Sequence, residues 1–265
     1  MNTKARIASL FKTPTLDSEI TGFEPFRLSL LELESELHFD LPKNLRLGHL
    51  VEKAVSQCIQ ASTNYNVLHE SIQLVEEKQT IGEIDFILEE IKSGRVIHME
   101  LAYKFYLYDP SISDQLIQNW IGPNRNDSLH LKLKKLREKQ FPLLQHKALE
   151  SQLSGLERSE ISQMLCFIAS LFVPYQDKVD LEPGFQKAVK GYYLSYSDFQ
   201  SLNHSASTYY LPPKKEWGLD PSENQNWMSY EEIRKNLNES VKEHRSRMIW
   251  QKKGDVYDTF FIVWW

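Results

Sequence analysis

Only two of the 265 residues are cysteine, Cys58 and Cys166, and both sit within apolar patterns. That spacing excludes a disulfide framework and leaves buried free thiols in a reducing compartment as the expectation. The eight histidines show neither HExxH nor paired cysteine–histidine spacing, so no dedicated zinc site is expected. The best apolar run, MLCFIASLFV (164–173), is about half of what a helix needs to cross a bilayer, so no membrane span is expected. Residues 1–15 carry cations without an apolar h-region, which predicts no signal peptide and a cytoplasmic location. Internal repeats and low-complexity tracts are absent as well.

What is there is ordinary for a globular chain. Apolar residues make up 41% and charged residues 25%, enough for a sizeable core in one large domain or two modest ones. The formal charge of −5 argues against a surface wholly coated for nucleic acid but leaves room for a local basic patch.

Residues 1–41 mix apolar and acidic residues without a clear period. Over 44–62, Leu47, Leu50, Val51, Ala54, Val55, Cys58 and Ile59 recur at helical spacing and form one apolar stripe. Glu52 falls at the edge of that stripe, where the helix meets a neighbouring layer. Residues 65–80 read as a strand that turns near Lys78–Gln79. Residues 127–148 open on a good N-cap, Asp127, and predict a helix at least to Gln140. The stretch 159–175 fits either a buried strand or a buried helix, with strand favoured in its second half. The stretches KGYYLSYSDF and STYYLPPKKEWG read as strands or aromatic loops. Ser229 and Glu232 form a capping box for a helix over 229–244. The chain closes in a hairpin around Lys253-Gly254-Asp255.

The chemistry concentrates in residues 81–107, IGEIDFILEEIKSGRVIHMELAYKFYL. At strand period, Gly82, Ile84, Phe86 and Leu88 share one face of the first strand, and Ile81, Glu83, Asp85, Ile87 and Glu89 the other. In the second strand Val96, His98, Glu100, Ala102, Lys104 and Tyr106 share a face, behind which lie only apolar and aromatic residues. A four-residue loop at 91–94 pairs Glu90 with Arg95. Asp85 then faces Glu100, and Glu83 faces Ala102. Opposed carboxylates about 5 Å apart repel unless a proton or cation intervenes, and oxygen ligands at that spacing suit Mg2+ or Mn2+. His98, alone on the charged face, reads as a polar surface contact.

These residues carry a resemblance. VEKAV on a helix, a strand, GEIDFIL and then HMELAYK resemble the PD-(D/E)XK nuclease superfamily. More closely, GEID, ELAYKFYL and WIGPNRNDSLHLKLKKL resemble a bacterial family named domain of unknown function 1853. The superfamily resemblance implies an αβββαβ core with a mixed sheet. It makes Asp85 a metal ligand, Lys104 the lysine that orients the attacking water, and Glu52 a helix glutamate supporting metal or water. The pattern departs at Ala102, where the superfamily carries its second acid. Glu100, one pleat away on the same face, or Glu83 must then substitute.

A basic segment follows. Residues 125–139 hold six cations and two anions, a net +4 that leaves −9 for the rest of the chain. Lys132, Lys135 and Lys139 fall on one helix face and are the candidate contacts to a phosphate backbone. The late aromatics, among them Tyr192, Tyr193, Tyr209, Tyr210, Trp217, Trp227, Trp250, Trp264 and Trp265, read as core. The sequence thus predicts an α/β protein in three parts: an N-terminal segment (1–41), a nuclease-like core (42–175) and a C-terminal α+β segment packed on it (176–265). The leading function is a divalent-metal-dependent nuclease acting on nucleic acid. The alternatives are an inactive nuclease-fold protein that binds nucleic acid or a protein partner, and a plain adaptor.

Overall fold

A computed structural model describes residues 3–33, 37, 39–42, 44–150 and 152–265. The first half contains α1 (Thr3–Lys12), α2 (Ser18–Thr21), β1 (Glu24–Pro25), α3 (Leu47–Gln60), β2 (Tyr65–Glu76), β3 (Gln79–Glu90), β4 (Arg95–Tyr108), β5 (Trp120–Ile121) and α4 (Leu129–Lys135). The second half contains β6 (Ser162–Pro174), α5 (Pro183–Ala188), β7 (Val189–Ser195), α6 (Tyr196–Ser201), β8 (Thr208–Tyr210), α7 (Tyr230–Lys242), β9 (Arg247–Lys253) and β10 (Val256–Val263). The fold is mixed α/β. Its residues group into two compact units drawn from interleaved stretches of chain. A meander unit comprises Leu10–Tyr103 and Leu131–Ile168, and an aromatic unit comprises Met1–Ser9, Lys104–His130 and Ala169–Trp265. No helix of the described residues is long and apolar enough to cross a membrane.

In the meander unit, α3 buries all seven stripe residues that the sequence marks, none more than 7% exposed. Chain reversal between β2 and β3 falls at Glu77 and Lys78, one residue earlier than the sequence suggests. Both residues have left-handed φ, 47° and 65°, as a two-residue hairpin turn requires. The next hairpin has the anticipated register, with Glu90 opposite Arg95 and Phe86 opposite Met99. β1 adds a parallel contact to the start of β6, Glu24 opposite Met164, which makes the sheet mixed. A 3-10 turn, Phe141–Gln145, lays Leu143 and Leu144 into a cluster with Ile72, Leu74, Ile84 and Ile87. Gly82 makes this possible: a Cβ there would sit 2.4 Å from a Leu143 methyl.

In the aromatic unit, β9 and β10 form the C-terminal hairpin. β10 runs parallel to β7, and β8 pairs antiparallel with β9. Of the late aromatics read as core, Tyr193, Tyr209, Trp217 and Trp250 are buried, whereas Tyr192, Tyr210, Trp227, Trp264 and Trp265 are only half-buried. Ser229 and Glu232 make the capping box of α7. Arg6 is fully buried, with its guanidinium donating to the carbonyls of Trp217 (2.9 Å) and Lys215 (2.6 Å).

Two local expectations change. The ambiguous stretch 159–175 is a strand almost throughout, β6, with Met164–Phe172 buried; an element covered on every side carries no period to read. KGYYLSYSDF is half strand and half helix, because the Ser195 hydroxyl caps α6 by accepting the Asp198 amide.

Candidate active site

The site is built where β3 and β4 part. Their paired rungs run from Glu90–Arg95 to Phe86–Met99, and the next rung would set Asp85 against Glu100. There the Leu101 amide donates to Asp85 Oδ2 at 2.8 Å, so a side chain supplies the acceptor for that backbone N–H. The Gln140 side chain spans the opening: its Nε2 donates to the Glu83 carbonyl (3.1 Å) and to Glu100 Oε2 (3.3 Å). The expected rung between Glu83 and Ala102 is therefore not part of the ladder. Glu83 instead pairs with Gln73 on β2, and its carboxylate lies 3.5 Å from the Gln73 amide nitrogen.

Glu100 is 1% exposed and His98 0%. Every residue from Ile97 to Ala102 is buried, so both faces of β4 are covered here. This corrects the reading of His98 as a surface contact. Its Nε2 lies 2.8 Å from Glu100 Oε1, and its ring packs edge-on against Phe141 with centroids 5.1 Å apart. Glu100 thus has one oxygen on His98 and the other on Gln140. A buried carboxylate needs such partners, since each missing one would leave charge desolvated.

Asp85 feels the consequence. Burial, and then the charge of Glu100, push its carboxyl far above the usual carboxylate range, to about 8. The Leu101 amide and Lys132 pull the other way, and Glu52 adds to the rise. Glu52 on α3 and Lys132 on α4 therefore both act on Asp85. Glu52 also meets His49 Nδ1 at 2.9 Å. Lys135 and Lys139 are exposed. Their helix departs from the α-helix expected to Gln140: a π turn occupies Leu136–Gln140. The wider turn changes the phase of its residues relative to Lys132 and Lys135, and such turns recur at functional sites.

Lys104 belongs to the aromatic unit. Its Nζ donates to Asp127 Oδ2 at 2.5 Å, and the Tyr106 hydroxyl donates to the same oxygen at 3.4 Å. Read in the sequence only as a helix cap, Asp127 is here the counter-ion of Lys104. The sequence did hold a signal for it, in the ND that ends WIGPNRND, but its partner lies 23 residues earlier in the chain. His98 and Gln140 were missed as well. A histidine two residues before Glu100 shares its strand face by period alone, whereas nothing local foretells Gln140.

The donor set suits a hard cation. Two carboxylates, each oriented by other groups and close enough to repel one another, would be stabilised by a divalent ion in place of the proton on Asp85. Among the described residues no group of three His, Cys, Asp or Glu is gathered to hold a metal alone. Mg2+ commonly uses one or two carboxylates, with water and substrate phosphate filling the remaining positions. The residues that fit are Asp85 and Glu100.

No curated protein and no solved structure matches this chain. The family model for a domain of unknown function, DUF1853, matches residues 24–255, a span that includes every residue of the candidate site. The chain belongs to the DUF1853 family.

Proposed function

We propose that the protein is a divalent-metal-dependent nuclease, a phosphodiester hydrolase acting on nucleic acid through a PD-(D/E)XK-like αβββαβ core. The observation that carries this reading is the half-buried Asp85 beside the buried Glu100 at the mouth of the β3–β4 ladder, with Asp85 driven toward its protonated form. The element order α3-β2-β3-β4-β5-α4-β6 supports the core assignment, with the two-residue β5 as an addition between β4 and α4. Asp85 and Glu100 would hold a Mg2+ or Mn2+ ion, which when bound would supply Lewis-acid polarisation of the phosphate and a bound water of lowered pKa. His98 and Gln140 fix the Glu100 carboxylate, and the Leu101 amide fixes Asp85. Glu52 adds negative charge on the α3 side. Lys132 brings positive charge toward Asp85, where a substrate phosphate is attracted. The resemblance gives Lys104 a water-orienting role, for which its ammonium would have to leave Asp127.

Ala102 and the Lys104–Asp127 ion pair favour a second reading, an inactive nuclease-fold protein that binds nucleic acid or a protein partner. Purified protein incubated with DNA and with RNA in Mg2+, Mn2+ or EDTA separates the two. On the nuclease reading, cleavage needs the metal, disappears in Asp85→Ala and falls about 100-fold in Lys104→Ala. Cleavage unchanged by both substitutions would refute the site. Salt-sensitive binding without cleavage in any metal would establish the binder.

A further inference from the structure

Next to Gln140 in sequence, Phe141 lines an open-mouthed cavity of about 550 Å³ in the meander unit, within the volume range of small-molecule sites. Phe23, Arg137, Phe141, Leu144, Arg158 and Gln163 are among its walls, and no acidic residue lines it. In a chain of net charge −5, two arginines among these walls concentrate positive charge locally, although Arg158 is paired with Glu150 outside the lining.

The two arginines differ in what they can still donate. Arg158 is largely spent: Nη1 donates to the carbonyls of His146 (3.0 Å) and Leu144 (3.5 Å), and Nη2 pairs with Glu150 at 3.3 Å. Arg137 has one hydrogen bond among the described residues, to the Thr21 carbonyl at 3.3 Å. Its guanidinium lies over the Phe23 ring, 5.5 Å from the centroid. It also packs against Gly22, where a Cβ would come within 2.9 Å of Nη2. A guanidinium carries five donors in a rigid fork, so Arg137 is held in place with most of its donors available. Phe23 and Phe141 pack at 4.5 Å and give the cavity an apolar wall. Phe141 also touches His98 and directly follows Gln140, which ties the cavity to the Glu100 side of the candidate site.

We infer that this cavity binds the phosphate of a nucleotide unit, with Arg137 as the main phosphate ligand, Arg158 as a supporting charge and Phe23 beside the sugar or base. The choice of phosphate over another anion rests on the nuclease reading. The arginine fork suits a phosphate bidentately, and the aromatic wall suits the rest of the nucleotide.

The test is NMR titration of the full chain in EDTA with adenosine 5′-monophosphate, inorganic phosphate and adenosine. The inference expects shifts around Phe23, Arg137 and Gln163 with the first two ligands, and binding at least about tenfold weaker for adenosine. Arg137→Ala weakens nucleotide binding about tenfold or more, while Arg137→Lys retains part of it. Arg137 is exposed, so both variants should keep the wild-type spectrum elsewhere. Arg158→Ala is secondary, because that side chain also holds two carbonyls. Nucleotide binding unchanged in Arg137→Ala, or adenosine binding as well as the monophosphate, overturns the inference. Asp85→Asn separates this result from the nuclease reading. Nucleotide binding retained in that variant, beside a wild type that cleaves nothing in any metal, upholds the cavity and removes the nuclease. Cleavage with no Arg137-dependent binding does the reverse.

Discussion

At Asp85 the backbone and the electrostatics pull in opposite directions. The Leu101 amide favours the carboxylate, but burial and Glu100 outweigh it, and the carboxyl is pushed up to about 8 against about 3.9 in an unfolded chain. The folded state therefore holds a proton between those values that the unfolded state has released. Stability must fall as pH rises across that window and level off above it. Asp85→Asn removes the penalty. It should raise the melting temperature at pH 8 and leave it nearly unchanged at pH 4, as thermal unfolding at both pH values would reveal. Mg2+ at tenfold its dissociation constant should stabilise the wild type at pH 8 by about 1.4 kcal/mol and Asp85→Asn by much less. Equal stabilisation of both proteins would argue against Asp85 as a metal ligand. The same reasoning reaches His98. Its truncation to Ala removes a hydrogen bond from a buried carboxylate and opens a cavity under Phe141. Chemical denaturation should then show a loss of about 3 kcal/mol, whereas a loss below about 0.5 kcal/mol would mark a surface residue.

At the scale of elements, whatever depended on local pattern could be read in advance. The α3 stripe, the Glu90–Arg95 register and the Ser229–Glu232 capping box each rest on residues a few positions apart. The opposition of Asp85 to Glu100 followed from that register. What escaped the sequence depends on distant chain. The β3–β4 ladder ends because Gln140, 40 residues after Glu100, enters its mouth, and His98 is buried because Phe141 covers it. The π turn that precedes Phe141 obeys no periodicity that a helical pattern displays. Gly191 is a further case. A Cβ there would stand 1.8 Å from the Thr259 carbonyl oxygen, on the strand that pairs beside it, and a backbone atom cannot swing aside as the end of a side chain could. Gly191→Ala should thus separate β7 from β10 and cost at least about 3 kcal/mol. A melting temperature within about 2 °C of wild type would contradict this close approach.

Taken whole, the molecule is acidic, and on the nuclease reading its contacts to a phosphate backbone fall in one short segment. Residues 125–139 carry +4 and the remainder −9, so this segment is the strongest sequence-local attraction for a polyanion. Repulsion from the rest is screened beyond about 10 Å at 0.1 M salt. Lys135 and Lys139 are exposed, and backbone contacts from them would be read without regard to sequence. Each phosphate neutralised contributes about 0.9 to the slope of log affinity against log salt. Replacing both lysines by alanine should therefore reduce that slope by about 2 while shifting affinity equally for unrelated duplexes. Fluorescence anisotropy over a salt series measures both quantities, and an unchanged slope would remove the segment from the interface. Lys132 should behave differently, because its charge also lowers the proton affinity of Asp85. Lys132→Ala should weaken binding and, in addition, move the Asp85 titration to higher pH. The onset of Mg2+ stabilisation would then require a more alkaline solution than in the wild type, a displacement that Lys135→Ala and Lys139→Ala should not produce.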